Sequence, residues 1–225
     1  MKKRRLVRII LFVVGLSTLG LGARLLLLSD LGTGGIDALA VRLGRILGLS
    51  VGMVMNLISI TLILIGGILK KRGLEWKPII TSIFYGIIFD IWGWLIFNRL
   101  TPPMLPSQKG LMFLIGLFVA PLGSALYILM NISTSSVDYL MLAIRQRYGF
   151  SIQNSRILLE GLFVISAWLV RGPIGMGTIC IMLLFGPILQ IYIKGLKPIL
   201  LKMGILQIET RPVGIKIQKY GLKKK

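Results

Sequence analysis

Long apolar runs, separated by short polar stretches, set the pattern of this chain. Residues 9–28, 51–69, 78–97, 110–130 and 174–193 are each close to the ~20 residues that a helix needs to cross ~30 Å of hydrocarbon. None contains Lys, and only Arg24 and Asp90 bring charge into them. A sixth, less pure run covers about 154–170. Two stretches break the plan. Ser29 to Ser50 (SDLGTGGIDALAVRLGRILGLS) and Met130 to Ser151 (MNISTSSVDYLMLAIRQRYGFS) each open on a polar segment rich in Gly or Ser. Each continues as a short amphipathic helix, predicted over 36–47 and 137–148. In the first, Ile36, Leu39, Ala40, Leu43 and Leu47 share one helical face, with Arg42 and Arg45 off it. Both end at a glycine, Gly48 and Gly149, where a left-handed residue closes a helix naturally. About a dozen residues are too few to cross, so these helices either lie at the interface or re-enter the membrane against protein.

The two stretches are alike, and the likeness extends along the chain. With a shift of 101 residues, Thr33 meets Thr134, Asp37 meets Asp138, Gly48 meets Gly149 and Ser50 meets Ser151. Upstream, Phe12, Gly15 and Gly22 meet Phe113, Gly116 and Gly123. With a shift of 100, Gly86 meets Gly186 and Asp90 meets Gln190. Apolar bias accounts for matched Leu and Gly, but not for matched Thr, Asp and Ser in polar segments. The expectation is therefore a duplication: repeat 1 over about 9–98 and repeat 2 over about 110–194, joined by the Pro-rich linker 101–106.

Three spans per repeat is an odd number, so the second repeat enters from the opposite side and the repeats are inverted. Positive charge agrees. With the N-terminus in the cytoplasm, 21 basic residues fall inside and 5 outside, as the positive-inside rule requires. An alternative lets the short helices cross as well, giving eight crossings and parallel repeats. It places Lys70, Lys71 and Arg72 outside. The expected fold is an all-α polytopic bundle of about six spans in a single membrane domain, 1–198, with a basic cytoplasmic tail, 199–225. Inverted repeats with interrupted helices are a recurring plan of secondary transporters, whose sites lie where the repeats meet.

Composition narrows the chemistry. The chain is 55% hydrophobic with a net charge of +20. That charge sits at the ends and in short loops, which suits anionic headgroups rather than nucleic acid. There is no His, so imidazole catalysis and most zinc sites drop out. The one cysteine, Cys180, has no partner for a disulfide within the chain. The first run is too long for a signal peptide and lacks a small-residue cleavage site. Neither a cofactor nor an enzyme activity is expected, since no nucleophile stands beside a base.

The motifs DLGTGGIDAL, GLSVG, SVDYLMLAIRQRYGFS, RGPIGMGT and FGPILQ resemble those of the YczE/YyaS/YitT group of bacterial membrane proteins, nearest its YczE-like branch. The resemblance reaches to about residue 195. It implies a multi-pass protein of the bacterial cytoplasmic membrane, and it supplies no catalytic residues.

Ionisable groups within a membrane are expensive and by default functional. Asp37 and Asp138 occupy equivalent repeat positions at the starts of the short helices. They read either as caps of the first helical turn or as a symmetric pair that binds a cation, a proton or an amine. Thr33 and Thr134 flank them. Asp90 lies within a span and pairs with Arg24 as a buried ion pair, structural or functional. Glu160 follows Arg156 at i, i+4 on a polar helix face, an ion pair or the lining of a pathway. Gly172–Thr178 reads as a tight hairpin or as exposed amides beside a substrate path. Trp76, Trp92, Trp94 and Tyr192 read as an aromatic belt. Together these residues point to a carrier of a small molecule or ion. The rival is a membrane scaffold or regulatory subunit that binds a partner.

Overall fold

The computed structural model describes residues 2–70, 76–99 and 105–206. The described residues form helices and connecting turns without strands. In chain order the helices are α1 (Lys2–Leu28), α2 (Gly35–Leu47), α3 (Val51–Lys70), α4 (Trp76–Arg99), α5 (Pro106–Met130), α6 (Ser136–Tyr148), α7 (Ile152–Leu169) and α8 (Met176–Lys202). Five of them, α1, α3, α4, α5 and α8, are long and apolar enough to cross a membrane. The chain is thus a helical membrane protein in contact with lipid. The sixth run is carried by α7, with 18 residues.

Several boundaries differ from those expected. α5 begins at Pro106 rather than 110, because proline fits the first helical position, where no N–H is needed. α1 and α8 extend beyond their apolar runs to Lys2 and Lys202, since Lys and Arg propagate a helix well. The first residues of the expected tail, 199–202, are therefore helical. The rest of that tail beyond 206, the basic loop at 71–75 and most of the linker, 101–104, lie outside the described residues.

Local backbone chemistry repeats at the 101-residue spacing. Asp30 and Asn131 both take left-handed conformations, at φ 58° and 50°, which these two residue types tolerate best among non-glycines. Gly48 and Gly149 close α2 and α6 at φ 65° and 73°. Ser50 caps α3 by accepting from the Met53 amide at 3.1 Å. Ser151 caps α7 by accepting from the Asn154 amide at 3.0 Å.

Helices α1 and α5 pack against each other along their lengths. They run antiparallel: Gly15 lies against Gly123 and Tyr127, Gly22 against Ala120, and Gly116 against Leu26. None of these glycines has room for a Cβ, so the backbones approach as small residues allow in membrane helices. Shifting Gly15 by 101 gives Gly116, and shifting Gly22 gives Gly123. The contacts of Gly15 with Gly123 and of Gly116 with Gly22 are one contact made twice, as in an isologous interface. One end of the pair is tied by the Arg8 guanidinium, which donates to the Met130 carbonyl. The other is tied by Lys109 Nζ, 2.8 Å from Asp30.

Other contacts also cross between halves, where α2 packs on α7 and α6 packs on α3. Within the halves, α4 flanks α1 and α8 flanks α5. Exchanging the halves maps each of these pairings onto another. The main cluster joins Leu62 of α3, Leu140 and Ile144 of α6, and Leu159 and Phe163 of α7.

The buried surface of α2 takes in most of the predicted apolar face together with its small neighbours. Ile36, Leu39, Ala40 and Leu43 pack into the core clusters, Ala38, Val41 and Gly44 are buried beside them, and Leu47 at the end of the face is exposed. Small residues turn toward the neighbouring helices because close approach there buries more surface than a bulky side chain would. Trp92 also departs from the expected aromatic belt. Its indole N–H donates to Ser17 Oγ at 3.1 Å, tying α4 to α1. Trp76 and Trp94 are exposed, as a belt requires.

Gly123→Leu should overpack the α1–α5 contact at a cost of ~1–3 kcal/mol. For a chain of this length that is a loss of roughly 2–12 °C in apparent Tm. Gly110, which faces open space, should accept leucine with a change within about 2 °C. Thermal unfolding in detergent compares the two; equal losses would show that the close approach does not exist.

Candidate functional site between the two halves

Both short helices begin beside the middle of a long helix from the other half. Gly35 at the start of α2 lies against Phe163 and Val164 of α7. From there α2 follows α7 to its end, where Arg42 Nε donates to the Val170 carbonyl at 2.7 Å. At the start of α6, Ser136 Oγ donates to Ser59 Oγ of α3 at 3.0 Å. Further along, Tyr139 packs on Gly66, with Lys70 Nζ 3.5 Å from the ring centroid. Each short helix thus aims its N-terminus at the interior, and with it four backbone N–H groups without helical partners.

Asp37 and Asp138 sit at the third position of these two helices. In α6, Ser135 Oγ accepts from the Asp138 amide at 3.1 Å. In α2 the capping residue is Gly34, which offers no side chain. There Asp37 folds back, and its Oδ2 sits about where a contact of a Gly34 side chain would be, at 3.2 Å. A carboxylate so placed offsets the positive end of the helix dipole. The capping geometry expected of these aspartates is present, but the carboxylates themselves make no hydrogen bond or ion pair with any described residue.

Other polar groups gather around them. Glu160 of α7 is within electrostatic reach of Asp37, of Asp138 and of Arg156. Tyr85 of α4 faces the field of Asp37 and Arg24. Tyr127 of α5 faces that of Asp138 and Arg156. Three of the chain's seven acidic residues therefore converge from α2, α6 and α7, with a tyrosine from each half beside them. The tyrosines were not singled out in the sequence. Their only signal there was a hydroxyl within an otherwise apolar run.

Arg24 and Asp90 do meet. Arg24 is 7% exposed and donates through Nη2 to Asp90 Oδ1 at 3.3 Å. Its Nε donates to the Phe89 carbonyl at 2.8 Å, and its guanidinium carbon lies 3.8 Å from the Phe89 ring centroid. Asp90 also accepts from Ser50 Oγ at 2.5 Å and from the Gly52 amide at 2.9 Å. The carboxylate thereby joins α1, α4 and the N-terminus of α3, and its partner Arg24 is within electrostatic reach of Asp37.

Thr33 and Thr134 share a repeat position but not an environment. Thr33 is fully buried, and its hydroxyl has no partner among the described residues. Thr134 is exposed. The Gly172–Thr178 run seals Thr33: Gly177 N–H donates to the Leu31 carbonyl and Thr178 Oγ1 to the Thr33 carbonyl, both at 2.8 Å. The amides of Gly172, Gly175 and Thr178 are also bonded internally. The run is a packed tie, and its backbone amides do not line an exposed path.

Over residues 6–194 the chain matches one protein family. It belongs to the family of unknown function DUF6198. Relatives of this DUF6198 chain include the uncharacterized protein YyaS of Bacillus subtilis, 35% identical over 80% of this chain and 89% of that protein. An uncharacterized protein of Haemophilus influenzae is 29% identical over 84% and 83%. The uncharacterized membrane protein YczE of Bacillus subtilis is 25% identical over 84% and 87%. No solved structure matches. The DUF6198 segment holds all of the site residues described above.

Asp90→Asn removes the carboxylate charge and leaves a buried guanidinium. Breaking a buried pair costs ~3–5 kcal/mol, reduced here to about 1–3 because Asp90 is one-third exposed. The double variant Arg24→Met with Asp90→Asn should lose less than the sum of the single changes, by about 0.5–3 kcal/mol. Additive losses in thermal unfolding would show that the two groups are uncoupled.

Proposed function

We propose that this DUF6198 protein is a secondary carrier of a small cationic or protonatable solute. It has six spans and two inverted repeats, with both termini in the cytoplasm of the cell whose cytoplasmic membrane it crosses. The observation that carries this reading is the convergence of Asp37, Asp138 and Glu160, drawn from both halves, where the short helices begin. In a chain with 27 basic and 7 acidic residues, a cluster of carboxylates without a bonded cation is suited to receive one. The antiparallel α1–α5 contact supports inversion, because equivalent helices of inverted repeats run in opposite directions. The short helices are then re-entrant, and non-helical backbone at 29–34 and 131–135 is tolerated because protein covers it or water reaches it. The carrier reading assigns no enzymatic step to the site.

Two measurements test it. On a Cys180→Ser background, Leu47→Cys and Tyr148→Cys, both at exposed and equivalent positions, should label with an impermeant thiol reagent from opposite sides. Labelling from one side would sink the inverted arrangement. In proteoliposomes challenged with proton and alkylammonium gradients, wild type should give a current that Asp37→Asn or Asp138→Asn lowers at least tenfold without loss of insertion. Normal function with these changes, coupled to loss on deleting 207–225, would favour the partner-binding scaffold.

A further inference from the structure

The symmetry of the contacts also fails between the third and fourth helices of each half. α3 packs along α4, with Gly52 against Gly86 and Asn56 against Gly86. The equivalent helices α7 and α8 are joined by the hairpin at 170–175 and otherwise barely touch. α4 also reaches α6, whereas α8 does not pack on α2. Gly186, the counterpart of the tightly packed Gly86, faces open space, and so does Gly161 on α7. Membrane helices use glycines for close approach, and these two have nothing to approach. Gln190, the counterpart of Asp90, is exposed. A bare amide in a membrane helix is costly against lipid and suits a water-filled gap.

We propose that these two seams are alternative gates of the carrier, closed one at a time. The seam between α3 and α4 is shut here and the seam between α7 and α8 is open. Closing the second brings Gly186 toward Ile157 of α7, the counterpart of Asn56, while the first opens; the counterpart of Gly52 is Gln153, so this seam closes less tightly. This rests on the carrier reading and names the moving part. α3 and α4 close at the end where α1 finishes, and α7 and α8 part at the opposite end, away from their hairpin. With cytoplasmic termini, the closed gate is outer and the open one inner. The gap lies along α7, which carries Arg156 and Glu160, so it leads to the acid cluster.

The locks are unequal. The outer seam is held by Asp90 with Arg24, Ser50 and the Gly52 amide. At the inner seam the equivalents of Asp90 and Arg24 are Gln190 and Ala125, which cannot form an ion pair. The outer-closed, inner-open form is accordingly the resting one, and weakening the outer lock shifts the population toward the other.

The experiment is double electron–electron resonance in nanodiscs, with spin labels at Leu158→Cys and Leu184→Cys on the Cys180→Ser background. Their counterparts Leu57 and Phe84 stay exposed beside the closed seam, so the labels do not obstruct closure. Adding Asp90→Asn, or the milder Ser50→Ala, should raise the short-distance population several-fold over the unmodified lock. A distribution unchanged by both substitutions overturns the proposal. So does a short distance between single labels at Leu158 on two chains, which would make the seam a subunit interface. A two-state distribution with no current in proteoliposomes would sink the carrier reading alone, and a current with one fixed distance would sink the gates alone.

Discussion

The arrangement depends on the backbone contact between α1 and α5. Four glycines, at 15, 22, 116 and 123, let these helices touch without intervening side chains. In lipid no hydrophobic force draws helices together, so close packing must supply the attraction. Because the contact is antiparallel and reciprocal, it fixes the relation between the halves. α4 and α8 then lie on its flanks, and α2 and α6 are delivered to α7 and α3 of the opposite half.

That exchange brings charge inside. A helix starting within the bundle needs partners for its first N–H groups and negative charge at its positive end: in α6 Ser135 accepts from the Asp138 amide, and Asp37 and Asp138 place carboxylates in the two first turns. These carboxylates thereby lie within electrostatic reach of Glu160. One feature serves local stability and also concentrates negative charge at the junction of the halves, so the structural and functional readings of these aspartates are compatible. Asp90 differs: its oxygens are occupied by Arg24, Ser50 and Gly52, which suits a fastening rather than a ligand site.

The family match extends over 6–194 and agrees with the resemblance carried by the Asp-containing stretches. Those stretches were legible because Gly, Asp and Ser at helix ends obey local rules: left-handed closure at Gly48 and Gly149, and capping at Ser50 and Ser151. Tyr85 and Tyr127 escaped notice because their importance comes from what faces them across the bundle. Periodicity marked the bulky face of α2 that meets the core clusters, but not the small residues beside it, Ala38 and Gly44, which are buried in the crowded bundle.

The sequence by itself determined the class of protein, the long helices, the two short ones and the 101-residue correspondence between halves. All of these follow from hydropathy and local backbone preference, which act within a few turns of chain. Only the tertiary structure decided that equivalent positions need not be equivalent in space. Thr33 is sealed while Thr134 is exposed, and Gly86 is packed while Gly186 is bare. Helix packing has discrete arrangements, so two halves of similar sequence settle into different ones. The Asp90 carboxylate that holds α3 against α4 through Ser50 and the Gly52 amide is replaced by Gln190 on α8.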